Sequence, residues 1–168
     1  MRFRLAVLVA VTSVLTVVSP ALTGRPPSAF AGPPSPAIHS SAADWAYVQH
    51  ELFAVSPARF VADRVLGDRW FDWTSDGCSA PMLGDTGRAY DFLLACTRHD
   101  FGYRNLHRLE RRYGAGHTFW NAGNRRRVDG QFLADMRHHC RHRVWILRPS
   151  CYLTAWLYYV AVRTVAGP

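Results

Sequence analysis

Ala95-Cys96-Thr97-Arg98-His99-Asp100-Phe101-Gly102-Tyr103-Arg104-Asn105 is the stretch from which the fold can be read. On an α-helix, Cys96, His99, Asp100 and Tyr103 fall at i, i+3, i+4 and i+7 and share one face. Tyr90, Leu93, Leu94, Thr97, Phe101 and Arg104 mark successive turns of the same helix, which is expected to start at Asp85 or Thr86 and to end near Asn105. A buried face that sets a His, an Asp and a Tyr beside a cysteine needs partners that offset their desolvation.

The flanking segments offer those partners. Upstream, Trp70 to Gly87 is rich in Gly, Asp and Ser and contains Pro81, so it reads as a loop. Were Cys96 bonded to Cys78, their Cα atoms would lie roughly 4.4 to 6.8 Å apart and the loop would be clamped to the helix. Asp76 and Gly77 would then come close to Asp100, which is one turn, about 5.4 Å, from Cys96. Two carboxylates and a backbone carbonyl are hard oxygen donors that select calcium over zinc or copper. Such a shell stays open for carbonyls, water or substrate, as a Lewis-acid centre requires.

Downstream, Asn124 is expected to cap a helix whose inner stripe is Val128, Phe132, Leu133, Met136 and Cys140. Asp129 sits on that stripe, and a carboxylate there should be paired. If the two long helices pack antiparallel, Asp129 reaches the His99 ring, selects its tautomer and stabilises its protonated form. No Ser or Cys nucleophile accompanies this pair, so the attacking group would be a water. Each residue also has a plain structural reading: His99 as a core histidine, Asp76 as a turn residue, Asp129 as a helix-start charge and Tyr103 as core. One disulfide and one helix pairing would gather all of them at a point, and this convergence favours a site.

The rest of the chain sets the frame. Arg2 and Arg4 precede an apolar run from Leu5 to Val18, the pattern of a secretory leader. Ala29-Phe30-Ala31 suits cleavage before Gly32, with Thr23-Gly24 as an earlier alternative, so residues 1–31 are assigned to a signal peptide. Residues 32–42, with Pro33, Pro34 and Pro36, read as a loose tether, and 43–168 as a single domain. In that domain Asp44 is expected to cap a helix carrying Trp45, Val48, Leu52 and Phe53, a second helix to run from Pro57 to Leu66, and a last one from Tyr152 to Val165. Leu106 to Gly123 reads as an exposed, Arg-rich connector with a short helical piece at Arg108 to Tyr113. No strand-type alternation and no repeat appears, so the class is all-α: a small disulfide-stapled domain with two long antiparallel helices carrying the site.

All twenty basic residues are arginine, and removing the leader with Arg2, Arg4 and Arg25 lowers the formal charge from +8 to +5. That surplus suits anionic lipid headgroups or nucleic acid and by itself selects neither. No segment after the leader is apolar enough to span a membrane. Cys78, Cys96, Cys140 and Cys151 all follow the leader and are expected to form two bridges, for which sequence alone allows three pairings. The rival reading places zinc on Cys140 with His138, His139 or His142, but no paired Cys-x-x-Cys motif supports it.

At these residues the chain resembles the secreted prokaryotic phospholipase A2 family, over roughly Trp70 to Gly167. The shared elements are the loop from Phe71 to Cys78, the helix from Ala95 to Asn105, Arg127 to Met136, and Thr154 to Tyr159. The resemblance implies His99 as catalytic base and Asp129 as the acid that orients it. It further implies Asp76, the Gly77 carbonyl and Asp100 as Ca2+ ligands, and Tyr103 as a buttress to Asp129. The disulfides it implies are Cys78 with Cys96 and Cys140 with Cys151. The implied activity is calcium-dependent hydrolysis of the sn-2 ester of glycerophospholipids at a membrane or micelle surface, by a secreted monomer that does not bind nucleic acid. The alternatives are a lipid-binding or toxin-like module on the same scaffold that does not hydrolyse, and a basic secreted nuclease or nucleic-acid binder. Two departures from the family stand out. The 106–123 connector is long and carries Phe119 and Trp120, which suggests contact with lipid, and Gly77 replaces a residue that is often larger.

Overall fold

The computed structural model describes residues 35–78 and 90–165, and the expected leader, the expected cleavage sites and the expected start of the long helix at Asp85 or Thr86 lie outside them. The described residues form five α-helices and no strand: α1 Ser41–Phe53, α2 Pro57–Leu66, α3 Leu93–Tyr113, α4 Ala122–Arg141 and α5 Arg148–Val165, with a 3-10 turn at Trp145–Leu147 before α5. No described helix is long and apolar enough to cross a membrane.

The helix starts show how capping chemistry selects among nearby candidates. α1 is capped by Ser40, whose side chain accepts from the Ala43 N–H, and not by the expected Asp44. Asp44 lies in the first turn, fully buried, and accepts from Trp70 Nε1 at 2.6 Å and Tyr113 Oη at 3.0 Å, with His39 Nδ1 at 2.8 Å. A carboxylate with three partners, two of them from distant segments, is worth more inside than at a solvated cap. His39 also stacks on Trp70 with ring centroids 4.0 Å apart, and Ser35 bonds to Asp68, so residues 35–40 of the expected tether are anchored. α4 likewise starts earlier than expected. Asn121 is its cap, accepting from the Asn124 N–H at 2.9 Å, while the Asn124 side chain donates to the Phe119 carbonyl.

The largest departure is the length of α3. It continues past Asn105 to Tyr113, because Leu106 and Leu109 extend its apolar stripe and are both buried. The remaining connector is short and folded back: Glu110 Oε2 accepts from the Phe119 and Trp120 amides at 2.6 and 3.0 Å. Phe119 is buried against Trp45 and so is not presented to lipid as expected, while Trp120 stacks on His107 with centroids 3.6 Å apart and is half-buried. α5 begins at Arg148 rather than Tyr152, with Pro149 tolerated in the first turn where its missing N–H costs no helical bond.

α3 and α4 run antiparallel, as the pairs Phe92–His139, Arg98–Asp135, His99–Asp129 and Gly102–Val128 show. α4 and α5 are antiparallel too, joined by Cys140–Cys151 at one end and Asp129–Arg163 at the other. α3 therefore divides two apolar clusters. One contains Val48, Leu52, Phe60, Phe101, Leu106 and Val128, and the other Phe92, Phe132, Met136, Ala155 and Tyr158. Both disulfides have the pairing implied by the resemblance, with Cα atoms 5.3 Å apart for Cys78–Cys96 and 5.7 Å for Cys140–Cys151. Cys140 is thus no thiolate ligand, and the zinc reading that used it falls.

Two predictions follow from this packing. A Cβ on buried Gly102 would lie 2.7 Å from Val128 Cγ1 and 3.0 Å from Leu52 Cδ2, where α1, α3 and α4 meet. Gly102→Ala is expected to destabilise the fold by about 1–3 kcal/mol in a denaturant titration despite alanine's better helix propensity. Glu51, 2 % exposed, has Oε2 without a hydrogen-bond partner, and burial, reinforced by Asp63 and opposed by Arg59 and Arg98, pushes its carboxyl up to about 7. The folded state then holds that proton more tightly than the unfolded chain, so the stability it contributes is complete below about pH 4.5 and is lost as pH rises through 7. Glu51→Gln should raise the thermal midpoint at pH 8, by on the order of 1–3 kcal/mol of stability, and change it little at pH 4.5.

Candidate active site

The loop before α3 is fixed to it at three levels. Asn105, fully buried, pairs with the Asp72 backbone in both directions at 2.8 Å, its amide donating to the carbonyl and its oxygen accepting the N–H. One turn up, Ser75 donates to Asp100 Oδ2 at 2.5 Å, and one further turn up Cys78 is bonded to Cys96. Between the last two anchors Gly77 takes φ +75°, a conformation that glycine adopts without strain, and its N–H donates to Ser75 Oγ at 3.0 Å. The glycine that stood out as a departure is therefore suited to its turn.

This anchoring brings Asp76 up to Asp100. Burial pushes the Asp100 carboxyl up to about 6; Ser75 and His99 oppose the rise, while the charge of Asp76 and a hydrogen bond with it add to it. Arg104 Nη2 lies 3.3 Å from Asp76 Oδ1 and partly balances it. Two juxtaposed oxygen donors in a partly dry setting, one of them disfavoured as an anion, form a donor set that a hard divalent cation fits. Among the described residues no third His, Cys, Asp or Glu side chain joins them in a metal cluster. Leu93, whose Cδ1 is 3.5 Å from where a Cβ of Gly77 would lie, lines a mostly apolar groove of about 550 Å³ with Val61, Val65, Leu94 and Thr97, to which Arg64 and Asp91 add charge.

One turn from Cys96 toward Asp100, His99 faces α4. Its Nε2 is 2.9 Å from Asp129 Oδ1, to which Tyr103 Oη also donates at 2.7 Å. The ring lies against Tyr103 and Phe132, with centroids 4.4 and 4.8 Å away, and the side chain is 10 % exposed. Asp129 itself is fully buried, and its second oxygen accepts from Arg163 Nη1 of α5 at 2.8 Å. Burial pushes its carboxyl up, but the hydrogen bonds from His99, Arg163 and Tyr103 outweigh that and hold it below the ordinary carboxylate range. The Tyr103 hydroxyl is driven the other way, by burial first and then by Asp129. An ionised Asp129 fixes the proton of a neutral His99 on Nε2, leaving Nδ1 as the basic nitrogen. Nδ1 has no hydrogen-bond partner among the described residues.

His99, Asp129 and Tyr103 are thus brought together in one cluster, with Asp100 and Asp76 in a second beside it. Three contributors escaped the sequence reading. Arg163 showed only as the end of an apolar run, Ser75 as one more polar loop residue, and Asn105 as the presumed end of the helix. The one available signal was that Arg163 is the sole charge on α5 after its first residue.

The family model for prokaryotic phospholipase A2 matches residues 48–166. A secretory phospholipase A2 of Arthroderma benhamiae is 40 % identical over 90 residues, covering 53 % of this chain and 54 % of the relative. A secretory phospholipase A2 of Beauveria bassiana is 40 % identical over 96 residues, covering 57 % and 44 %. The chain spans about half the length of these curated relatives.

Tyr103→Phe removes one donor from a buried carboxylate that keeps its other two. It is expected to cost about 1–2 kcal/mol of stability at pH 7, read from urea unfolding midpoints. A loss below a few tenths would mean that the hydroxyl is not bonded in solution.

Proposed function

We propose that this chain, which belongs to the prokaryotic phospholipase A2 family, is a secreted, calcium-dependent phospholipase A2 that hydrolyses the sn-2 ester of glycerophospholipids. The observation that carries the reading is the His99–Asp129 pair at 2.9 Å, with the second ring nitrogen unbonded among the described residues, next to the paired carboxylates of Asp100 and Asp76.

In this reading His99 Nδ1 takes a proton from a water poised at the ester. Charge then develops on the imidazole, and Asp129 is placed to stabilise it without being protonated, because Tyr103 and Arg163 keep it an anion. The hydroxide formed adds to the carbonyl carbon. When the tetrahedral intermediate collapses, the C–O bond to the glycerol breaks and the His99 proton passes to the leaving alkoxide, giving a lysophospholipid and a fatty acid. Asp76, Asp100 and the Gly77 carbonyl would hold the calcium ion, which supplies Lewis-acid stabilisation of the oxyanion. Ser75 and the Cys78–Cys96 bridge keep those donors in register. The mostly apolar groove beside Leu93 suits an acyl chain.

The test is fatty-acid release from sn-2-labelled phosphatidylcholine vesicles, with calcium and with a chelator. His99→Asn should lower the rate by roughly 10²–10⁴-fold and chelation should abolish it. As an independent reading of the metal, calcium should raise the thermal midpoint of the wild-type protein but not that of Asp100→Asn. Vesicle binding without any fatty-acid release would sink the enzymatic reading in favour of a lipid-binding module.

A further inference from the structure

The last part of the chain carries charge of one sign. From Met136 to Pro168 there is no Asp or Glu, whereas Arg137, Arg141, Arg143, Arg148 and Arg163 all fall there. Arg163 is engaged with Asp129, but Arg141, Arg143 and Arg148 surround the turn between α4 and α5. At the tip of that turn four consecutive apolar side chains stand in water: Val144, Trp145, Ile146 and Leu147, exposed by 61, 77, 67 and 45 %.

They are presented by a fixed frame. The Leu147 N–H donates to the Val144 carbonyl at 3.0 Å, Arg148 Nε donates to the Arg143 carbonyl at 2.9 Å, and the Cys140–Cys151 bridge closes the base of the turn. The exposure continues along α5. Its inner face buries Cys151, Ala155 and Tyr158, while Leu153, Trp156 and Leu157 form an i, i+3, i+4 stripe on the outer face, 59, 50 and 41 % exposed. A surface helix normally turns polar groups outward, so one that is apolar on both faces is built to be covered.

We propose that the α4–α5 turn and the outer stripe of α5 dock the protein on an anionic phospholipid surface, with Trp145 and Ile146 entering the interface and Arg141 and Arg148 meeting the headgroups. The inference rests on the phospholipase reading for its purpose and extends it to headgroup charge. A lipid surface is favoured over a protein partner or a second copy by the charge pattern. Exposed arginines flank the apolar tip and no acid follows Asp135, so a second copy would oppose like charges, whereas an anionic bilayer offers both counter-charge and an apolar interior. Tryptophan suits the boundary, since its ring is apolar and its N–H remains hydrated. The surface is also mechanically continuous with the site, because α5 runs from this turn to Arg163 on Asp129.

The test uses the protein carrying His99→Asn, so that lipid is not consumed, in sedimentation with phosphatidylcholine vesicles with and without phosphatidylglycerol at fixed salt. Binding should be at least tenfold tighter with phosphatidylglycerol and weaken as salt rises, with a blue shift of tryptophan emission. Trp145→Ala with Ile146→Ala should lose at least tenfold in vesicle binding, and Arg141→Gln with Arg148→Gln should lose the preference for phosphatidylglycerol. In the active protein the Trp145/Ile146 variant should hydrolyse a short-chain phospholipid dispersed as monomers at the wild-type rate while losing activity on vesicles. The proposal is overturned if these variants bind vesicles like the parent, or if the parent sediments as a dimer that Trp145→Ala with Ile146→Ala dissociates. Charge-selective binding by the expected residues without fatty-acid release from either substrate would remove the phospholipase reading and leave the docking surface standing.

Discussion

A single buried carboxylate ties three helices together. Asp129, on α4, is fully buried and accepts from His99 and Tyr103 of α3 through one oxygen and from Arg163 of α5 through the other. An anion in that position is tolerable only with all its donors in place, because an uncompensated charge in a dry core costs several kcal/mol. The requirement fixes the axial register of α3 and α5 against α4 at the same point where the two apolar clusters meet. The geometry that makes the core stable is thereby the geometry that orients the His99 ring.

The oxygen-rich cluster around Asp100 depends on a different device. A loop without regular structure would hold a pair of carboxylates poorly, and this one is attached to α3 at Asn105, Asp100 and Cys96, along some two and a half turns of helix. Each attachment satisfies or replaces something a loop normally leaves to water: backbone amides by Asn105, a carboxylate by Ser75, chain entropy by the disulfide. The rigid element is the helix, and the loop borrows its rigidity. His99 and Asp100, adjacent in sequence on α3, then face two separate clusters, one around the buried Asp129 and one around the Asp76 and Asp100 carboxylates.

Much of this was legible in the sequence because helical periodicity is a local property. The common face of Cys96, His99, Asp100 and Tyr103, and the odd charge at Asp129 within an apolar stripe, needed no coordinates to recognise. The reading failed where a local signal competed with a distant one. Leu106 and Leu109 continue the α3 stripe, but four arginines and a histidine between Arg104 and Arg112 disguise it as a solvated connector. Asp44 has the chemistry of a helix cap and was drawn instead into a cage built by Trp70 and Tyr113, far along the chain. Phe119 has the sequence context of an exposed aromatic, but Glu110 folds its backbone onto the end of α3 and the ring is buried.

By itself the sequence determined the helical class, the residues that share the key helix face and the need of Asp129 for a partner, since each follows from 3.6-residue periodicity and the cost of burying charge. The resemblance to the family supplied the disulfide pairing, which spacing left open among three. Only the tertiary structure decided that Arg163 completes the shell of Asp129, that Ser75 and Asn105 hold the loop, and that Leu153, Trp156 and Leu157 of α5 lie exposed. Those outcomes depend on where helices far apart in the chain come to lie. Such placement is set by the packing of whole faces, and no local window of residues contains it.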